Sequence, residues 1–341
     1  MKALLVLFSV VVLTHCAHKK EDRSGTQDSA TWKSDMHQLA QSFSELLPLA
    51  ESSREFYDPK NEKIIRRELG KVVKVSSSLG KHVPADDPIF SYTAKNFSNE
   101  MNQALQQYQV GNVGFAQNSI RNSTNYCLGC HTKNDQGRNI DWMGSADLTK
   151  FSPFDKAQYL TAIRNFDDAL KAFKEVLKDK DVVREEPQLW QMAAKRSLAI
   201  LVRVKKDPSA ATKLVSQVLK EKAVPPSMKQ VALEWQKSIK VWQSEQKTYA
   251  SRTGNWRAKY LSRAKNLFQR GLDSNQFPQE GAGLVFFLRA SSLVHDVLQE
   301  APDKEYGDAL YTAGLISEQL KGLNVWTLFR AYYEACIHRV P

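Results

Sequence analysis

The sequence is poor in cysteine, glycine and proline, with 4, 15 and 12 residues of these types among 341. Four cysteines are too few for a disulfide scaffold in a chain of this length. The low glycine and proline content argues against a loop-rich all-β fold. The chain also has no long membrane-spanning run, because the apolar stretch after Lys2 covers only eleven residues, about half a membrane span.

The overall composition is that of an ordinary folded protein. Apolar residues make up 42% and charged residues 25% of the chain, which excludes a disordered polypeptide. At about 100–200 residues per domain, the length predicts two domains. We place the boundary between them at residue 145, with the first domain over 31–145 and the second over 146–341.

The N-terminus has the pattern of an export signal. Lys2 is followed by the apolar run 3–13 and then by Thr14, His15 and Cys16. The arrangement resembles a bacterial lipoprotein signal over residues 1–16, although His15 departs from it. The resemblance implies lipidation of Cys16, with residues 17–30 as a flexible tether. The alternatives are plain secretion and an uncleaved anchor.

All three interpretations of the N-terminus place the protein outside the cytoplasm. We expect a periplasmic or cell-envelope protein that is attached to the membrane through a lipid. An Asp directly after the lipidated cysteine often retains lipoproteins at the inner membrane. Here Ala17 occupies that position, which favours the outer membrane.

The strongest chemical signal is the motif Cys127-Leu128-Gly129-Cys130-His131. C-x-x-C-H is the attachment signature of c-type haem. On a helix, its two cysteines and its histidine lie at i, i+3 and i+4 and therefore share one face. We expect one covalently bound haem c, joined by thioethers to Cys127 and Cys130 and coordinated by His131. A redox dithiol and half of a zinc site are the alternatives.

Four helical segments surround this motif. Apolar periodicity predicts helices over 32–53, 60–82, 88–109 and 112–133, with the motif in the fourth. Helices of this length joined by short loops favour an up-down four-helix bundle. A four-helix bundle with C-x-x-C-H in its last helix resembles the class II c-type cytochromes. The resemblance implies that His131 is the proximal iron ligand and that the first helix supplies the residue on the distal side.

Met36 is the residue of the first predicted helix that matches a distal methionine ligand. The alternative is that Met36 only fills the core. Met101, His82 and Met143 are weaker candidates for the same role. Three basic residues near the motif could pair with haem propionates: Arg121, Lys133 and Arg138.

The second half is predicted to be helical throughout. The segment 165–177 resembles the second helix of a tetratricopeptide repeat, and the last 34 residues have the usual length of one repeat. We therefore expect an α-solenoid of tetratricopeptide-like helical hairpins over 146–341. An undifferentiated helical bundle is the alternative. Cys336 lies in an apolar helix and is expected to be a buried free thiol.

Positive charge is concentrated in the second half. The net charge is +11 for the whole chain; residues 31–145 hold 13 basic and 12 acidic side chains, and residues 146–341 hold 31 and 22. This surplus is either a solvated face or a surface that docks an acidic protein or lies near anionic lipid. Nucleic acid is not an expected partner of an exported protein.

These features together predict an all-α, membrane-tethered monohaem cytochrome that transfers electrons to or from an unidentified redox partner. Its repeat domain would dock that partner. The alternatives are a sensor or scavenger of gas or peroxide with five-coordinate iron, and an envelope scaffold with a structural haem. No acid–base pair or nucleophile constellation is present, so we expect an electron carrier and not an enzyme.

Overall fold

The structure, a computed structural model, describes residues 26–82, 88–133, 147–248, 252–275, 277, 280–300 and 303–339. Every regular element in these ranges is helical, which confirms the predicted all-α class. The α-helices are α1 (Thr26–Glu51), α2 (Ser53–Phe56), α3 (Glu62–Ser76), α4 (Pro88–Gln109), α5 (Val113–His131), α6 (Pro153–Ala162), α7 (Phe166–Lys178), α8 (Lys180–Glu185), α9 (Pro187–Ala199), α10 (Pro208–Lys220), α11 (Pro226–Glu245), α12 (Trp256–Ser274), α13 (Leu284–Glu300), α14 (Asp303–Gly322) and α15 (Phe329–Arg339).

The first four predicted helices correspond to α1, α3, α4 and α5. Helix α1 begins at Thr26, six residues before the predicted start at 32, so the end of the predicted tether 17–30 is helical. The bounds of α4 are those predicted, and α5 lies within the predicted 112–133. The second segment is shorter than expected, because α3 ends at Ser76 and a separate 3₁₀ turn covers Leu79–His82. Gly111 has a positive φ of 88° between α4 and α5, a conformation that glycine adopts without steric cost.

These four long helices pack in a closed cycle. Helix α1 contacts α3 and α5, α3 contacts α4, and α4 contacts α5. Each helix contributes an apolar stripe at helical spacing, and burial of these stripes drives the packing. Fully buried side chains at the centre include Leu46, Ile65, Leu69, Met101 and Ile120.

Consecutive helices pair in the second half. The contacting pairs are α6 with α7, α10 with α11, α12 with α13, α13 with α14 and α14 with α15. A π-helical turn over Ile200–Val204 follows α9 directly. The backbone N–H of Lys205 bonds to the Ile200 carbonyl at 2.9 Å, which is the i→i+5 bond of a π-helix.

The two halves share hydrophobic surface. Helix α15 packs on α4, and α6 packs on α5. Trp326, which precedes α15, lies in the same apolar core as Leu46 and Phe173, with 6.3 Å between the ring centroids of Phe173 and Trp326. Arg203 donates to the Trp326 carbonyl at 3.0 Å. The domain boundary at residue 145 stays a prediction. Helices from the second half nevertheless pack directly on the first four long helices.

Candidate functional site

A cavity of about 360 Å³ lies among α1, α4 and α5. Its wall contains all four residues that the sequence predicted as the leading haem attachment and ligand residues: Met36, Cys127, Cys130 and His131. Met36 comes from α1 and the other three from the last turns of α5. The volume lies in the range of about 300–1,000 Å³ that is usual for cofactor and ligand sites.

Helix α5 orients the motif by burying the two residues that lie between the motif cysteines. Leu128 is fully buried in the core, so that Cys127, Cys130 and His131 face the cavity. The helix ends immediately after the motif, and the Thr132 hydroxyl bonds to the Leu128 carbonyl at 2.6 Å. The Thr132 backbone N–H donates to the same carbonyl at 3.1 Å, so Thr132 holds the last turn through both its hydroxyl and its backbone.

His131 is held by the residues that follow α5 in the chain. Its Nδ1 makes a hydrogen bond with the carbonyl oxygen of Ala162, at the end of α6. Since a carbonyl only accepts, Nδ1 carries the proton, and Nε2 is left as the atom that can coordinate a metal. Arg164 donates from Nη1 to the His131 carbonyl oxygen at 2.8 Å.

The imidazole of His131 is neutral at physiological pH. Burial lowers its pKa to about 4, an effect that Arg164 reinforces and the hydrogen bond with Ala162 opposes. A neutral imidazole is the form that binds a metal, because the coordinating nitrogen must carry a free lone pair. The side chain therefore needs no deprotonation before it can act as a ligand.

The two motif cysteines are partly buried and are not joined in a disulfide. Burial is the largest factor that raises the pKa of Cys127, to about 12, and the neighbouring Cys130 adds to it. Redox-active C-x-x-C pairs depend on a thiolate with a depressed pKa. The environment of Cys127 has the opposite effect, so it disfavours the redox-dithiol interpretation of the motif.

The wall opposite the motif is largely apolar and aromatic. Leu39 and Phe97 line it beside Met36, and the rings of Trp32 and Phe90 are 5.5 Å apart at its edge. Met36 is half-buried there and continues the apolar face of α1. Such a wall suits the apolar surface of a cofactor or ligand.

Two basic side chains line the cavity, Lys133 and Arg164. The sequence predicted Lys133 as a propionate partner. Arg121, predicted with it, pairs instead with Glu51 at 3.2 Å and does not line the cavity. Arg138 lies outside the described residues. The sequence did not predict the roles of Arg164 and the Ala162 carbonyl. They lie about thirty residues after the C-x-x-C-H motif, and no sequence pattern marks them.

The remaining candidates lie away from the cavity or outside the described residues. Met101 is fully buried in the core and does not line the cavity. His82 ends the 3₁₀ turn after α3, and its side chain is outside the described set. Cys16 and Met143 also lie outside the described residues. Cys336 is a free thiol, partly buried against the core of the second half.

Within the described residues, no three His, Cys, Asp or Glu side chains converge as a metal-binding group. No helix in those ranges is both long and apolar enough to cross a membrane. Comparisons with protein-family models, curated proteins and solved structures returned no match. The function must therefore be argued from the geometry of this cavity.

Proposed function

We propose that this protein is an exported electron-transfer cytochrome with one covalently bound haem c. Cys127 and Cys130 form the thioethers, His131 is the proximal ligand and Met36 is the distal ligand. The observation that carries the proposal is that these four residues line one cavity, although Met36 is about ninety residues away in the sequence.

The donor set of the cavity fits a haem. The thiols of Cys127 and Cys130, which lie one helical turn apart and form no disulfide, can add to the two vinyl groups of the macrocycle. The adjacent His131 has Nε2 as its coordinating atom, because Nδ1 bonds to the Ala162 carbonyl. The apolar wall around Leu39 suits the porphyrin face. Lys133 and Arg164 supply positive charge for its propionates.

When bound, the haem supplies reversible one-electron chemistry between ferric and ferrous iron. The chain's own residues set the conditions for it. The Ala162 carbonyl holds the His131 ring in one orientation and raises the basicity of Nε2. The thioether of Met36 favours the reduced form relative to a second histidine. The apolar wall keeps water from the ligand atoms.

The surrounding fold supports the same proposal. The closed cycle of α1, α3, α4 and α5, with the motif at the end of the last helix, has the arrangement expected of a class II cytochrome bundle. The paired helices after residue 146 suit a repeat domain that docks an acidic redox partner. The positive charge of that half complements such a partner.

The proposed location is the cell envelope, with a lipid on Cys16 and a preference for the outer membrane. We expect Cys16→Ser to abolish fatty-acid labelling and to release a soluble exported protein. Cys336→Ser is the matched control and should keep the label. Labelling that persists in Cys16→Ser, or that is absent from the wild type, would refute the lipid anchor without affecting the haem proposal.

The haem proposal is tested by chemistry and spectroscopy on the exported protein. The denatured chain should retain the mass of one haem, and acidic organic solvent should not extract it. Visible spectra of the oxidised and reduced forms, with and without CO, should show a six-coordinate, low-spin haem. Ready CO binding by the wild type would instead support a sensor or scavenger. A haem that cannot be reversibly reduced and reoxidised would instead support the alternative of an envelope scaffold with a structural haem.

A further inference from the structure

A second cavity lies in the C-terminal half, where nothing in the sequence suggested a site. Its volume is about 470 Å³, and its lining is drawn from the π-helical turn, α11, the segment that follows it, α12 and α13. It shares no lining residue with the cavity around His131. We refer to it as the charged cavity, because cationic and acidic side chains both face it.

The charged cavity contains more positive than negative charge. Asp296 accepts from Lys206 Nζ at 3.3 Å and pairs with Arg252 Nη2 at 3.1 Å. Glu245 likewise accepts from Arg289 Nη2 at 2.6 Å and pairs with Arg263. Each of the two carboxylates is thus shared by two cations, and the exposed Lys247 adds a further positive charge to the lining.

Arg289 is the most deeply placed of these cations. Its side chain is 6% exposed, and its Nη1 is buried without a hydrogen-bond partner among the described residues. An unsatisfied buried donor costs about 1–3 kcal/mol, and more when the group is charged. Burial also lowers the pKa of Arg289, although Glu245 opposes the effect. Arg289 therefore lines the cavity with one guanidinium nitrogen that has no acceptor in the part of the chain that the structure describes.

The local backbone directs Lys206 toward this cavity. The π-helical turn ends at Val204, and Lys206 has a positive φ of 49°, which is uncommon for a residue with a side chain. As a result, consecutive lysines diverge: Lys205 pairs with Asp167 at 2.6 Å, and Lys206 pairs with Asp296. Strained backbone of this kind persists where the surrounding structure holds it, often at binding sites.

The rest of the lining is suited to an organic molecule. Trp242 and Tyr260 provide aromatic surface, and Leu293 adds an aliphatic side chain. Tyr260 is buried and Trp242 is half-buried, so the aromatic wall reaches from the interior toward the solvent. Pockets that combine apolar walls with a few convergent polar groups are typical of small-molecule sites.

We propose that the charged cavity binds a small organic anion. Its carboxylate or phosphate would be held by Arg289, Lys206 and Arg252, with its apolar part against Trp242 and Tyr260. A carboxylate or phosphate supplies an acceptor for Nη1 of Arg289, which has none among the described residues, and offsets the surplus of positive charge. The proposal is independent of the haem site, since it concerns different residues in the other half of the chain.

Calorimetric titration of the intact protein with benzoate and with phenyl phosphate tests this proposal. Benzamide serves as the neutral analogue of benzoate, and ionic strength is kept constant. We expect one binding event per chain for at least one anion, and binding of benzamide about tenfold weaker. The preferred anion distinguishes a carboxylate site from a phosphate site. Equal binding of benzamide, or no binding of either anion at about 10 mM, would overturn the proposal.

Two variants locate the binding event. Lys206→Met and Arg289→Met should each weaken anion binding about tenfold, whereas Lys205→Met, on the neighbouring residue outside the cavity, should leave it unchanged. Circular dichroism checks that each variant is folded. Should Arg289→Met fail to fold, Lys206→Met still decides the question, because Asp296 keeps Arg252 as a partner. Equal affinity in Lys206→Met and Lys205→Met would place the ligand elsewhere.

Discussion

The imidazole of His131 forms its Nδ1 hydrogen bond with the carbonyl oxygen of Ala162, a residue of the second half of the chain. Arg164, two residues later, returns a hydrogen bond to the His131 carbonyl. His131, the proposed proximal ligand, is therefore oriented by a helix that lies outside the predicted cytochrome domain. Under the proposed function, the second half has a direct part in setting the properties of the haem, in addition to any docking role.

The first prediction concerns Met36. Met36→Leu keeps the side-chain volume, so we expect the fold to survive at a cost below about 1.5 kcal/mol. Loss of the thioether should make the iron five-coordinate, high-spin and able to bind CO. Visible spectra with and without CO measure this. Met101→Leu is the control, since Met101 is buried away from the cavity. An unchanged spectrum in Met36→Leu would assign Met36 to the core and favour another sixth ligand.

The second prediction concerns Arg164, which lines the cavity. A positive charge near the iron favours the reduced form, so Arg164→Met should lower the midpoint potential by on the order of tens of millivolts. Spectroelectrochemical titration gives the potential. Arg121→Met is the control, because Arg121 pairs with Glu51 and lies off the cavity. Equal potentials in the two variants would show that Arg164 has no electrostatic role at the haem.

The third prediction concerns Gly129, between the two motif cysteines. A Cβ at this position would lie 2.7 Å from Leu328 Cδ2 and 3.4 Å from the Thr327 carbonyl carbon. Gly129→Ala should destabilise the protein by about 1 kcal/mol, because overpacking exceeds the gain in helix propensity.

Gly70 provides the matched comparison for Gly129. It lies inside α3, and a Cβ added there would have nothing within 4 Å, so Gly70→Ala should stabilise the protein by about 0.5–1 kcal/mol. Urea unfolding of both variants measures the two effects. If Gly129→Ala and Gly70→Ala changed the free energy of unfolding in the same direction, this would argue against close packing of α5 on the segment before α15.

The fourth prediction concerns pH. Lys195 is 4% exposed, and burial lowers its pKa to about 8. The unfolded chain therefore binds more protons at this site between pH 8 and the ordinary lysine value of 10.5, and stability rises with pH in that window. Lys195→Met should stabilise the protein by on the order of 2 kcal/mol at pH 7, and the gain should shrink above pH 8.

Urea unfolding of the wild type and of Lys195→Met, from neutral to alkaline pH, measures the difference between their free energies of unfolding. The other titrating groups are common to both proteins, so their contributions cancel. Lys205→Met is the control, because Lys205 is partly exposed and paired with Asp167. A stability gain in Lys195→Met that is independent of pH would show that Lys195 is charged in the folded protein at alkaline pH as well.

Helices were the part of the structure most accessible from the sequence. The apolar stripe of α4, with Phe97, Met101 and Ala104 in the core, has the 3.6-residue period that predicts a helix directly. The spacing of the C-x-x-C-H motif is likewise visible in the sequence. It predicts that the two cysteines and the histidine share one face of a helix. Met36 was predicted to join them from the resemblance to class II c-type cytochromes, which implies that the first helix supplies the residue on the distal side.

Other parts of the site depend on contacts between distant segments, and these leave no local pattern. Nothing near Ala162 distinguishes its carbonyl from any other helix-terminal carbonyl before the fold brings it to His131. The charged cavity is similar, since Lys206 and Asp296 are ninety residues apart and each resembles an ordinary surface charge. The π-helical turn that precedes Lys205 and Lys206 was also not predicted.

The contacts of residues 326–332 with the first four helices have a consequence for the order of events in the cell. A chain synthesised from its N-terminus contains Cys127 and Cys130 long before Leu328 is available to pack on Gly129 and Tyr332 is available to lie beside Lys133. The motif thus passes through a period in which its C-terminal covering is missing. Under the proposed function, covalent attachment of the haem is easiest in that interval, and completion of the chain then closes the site around it.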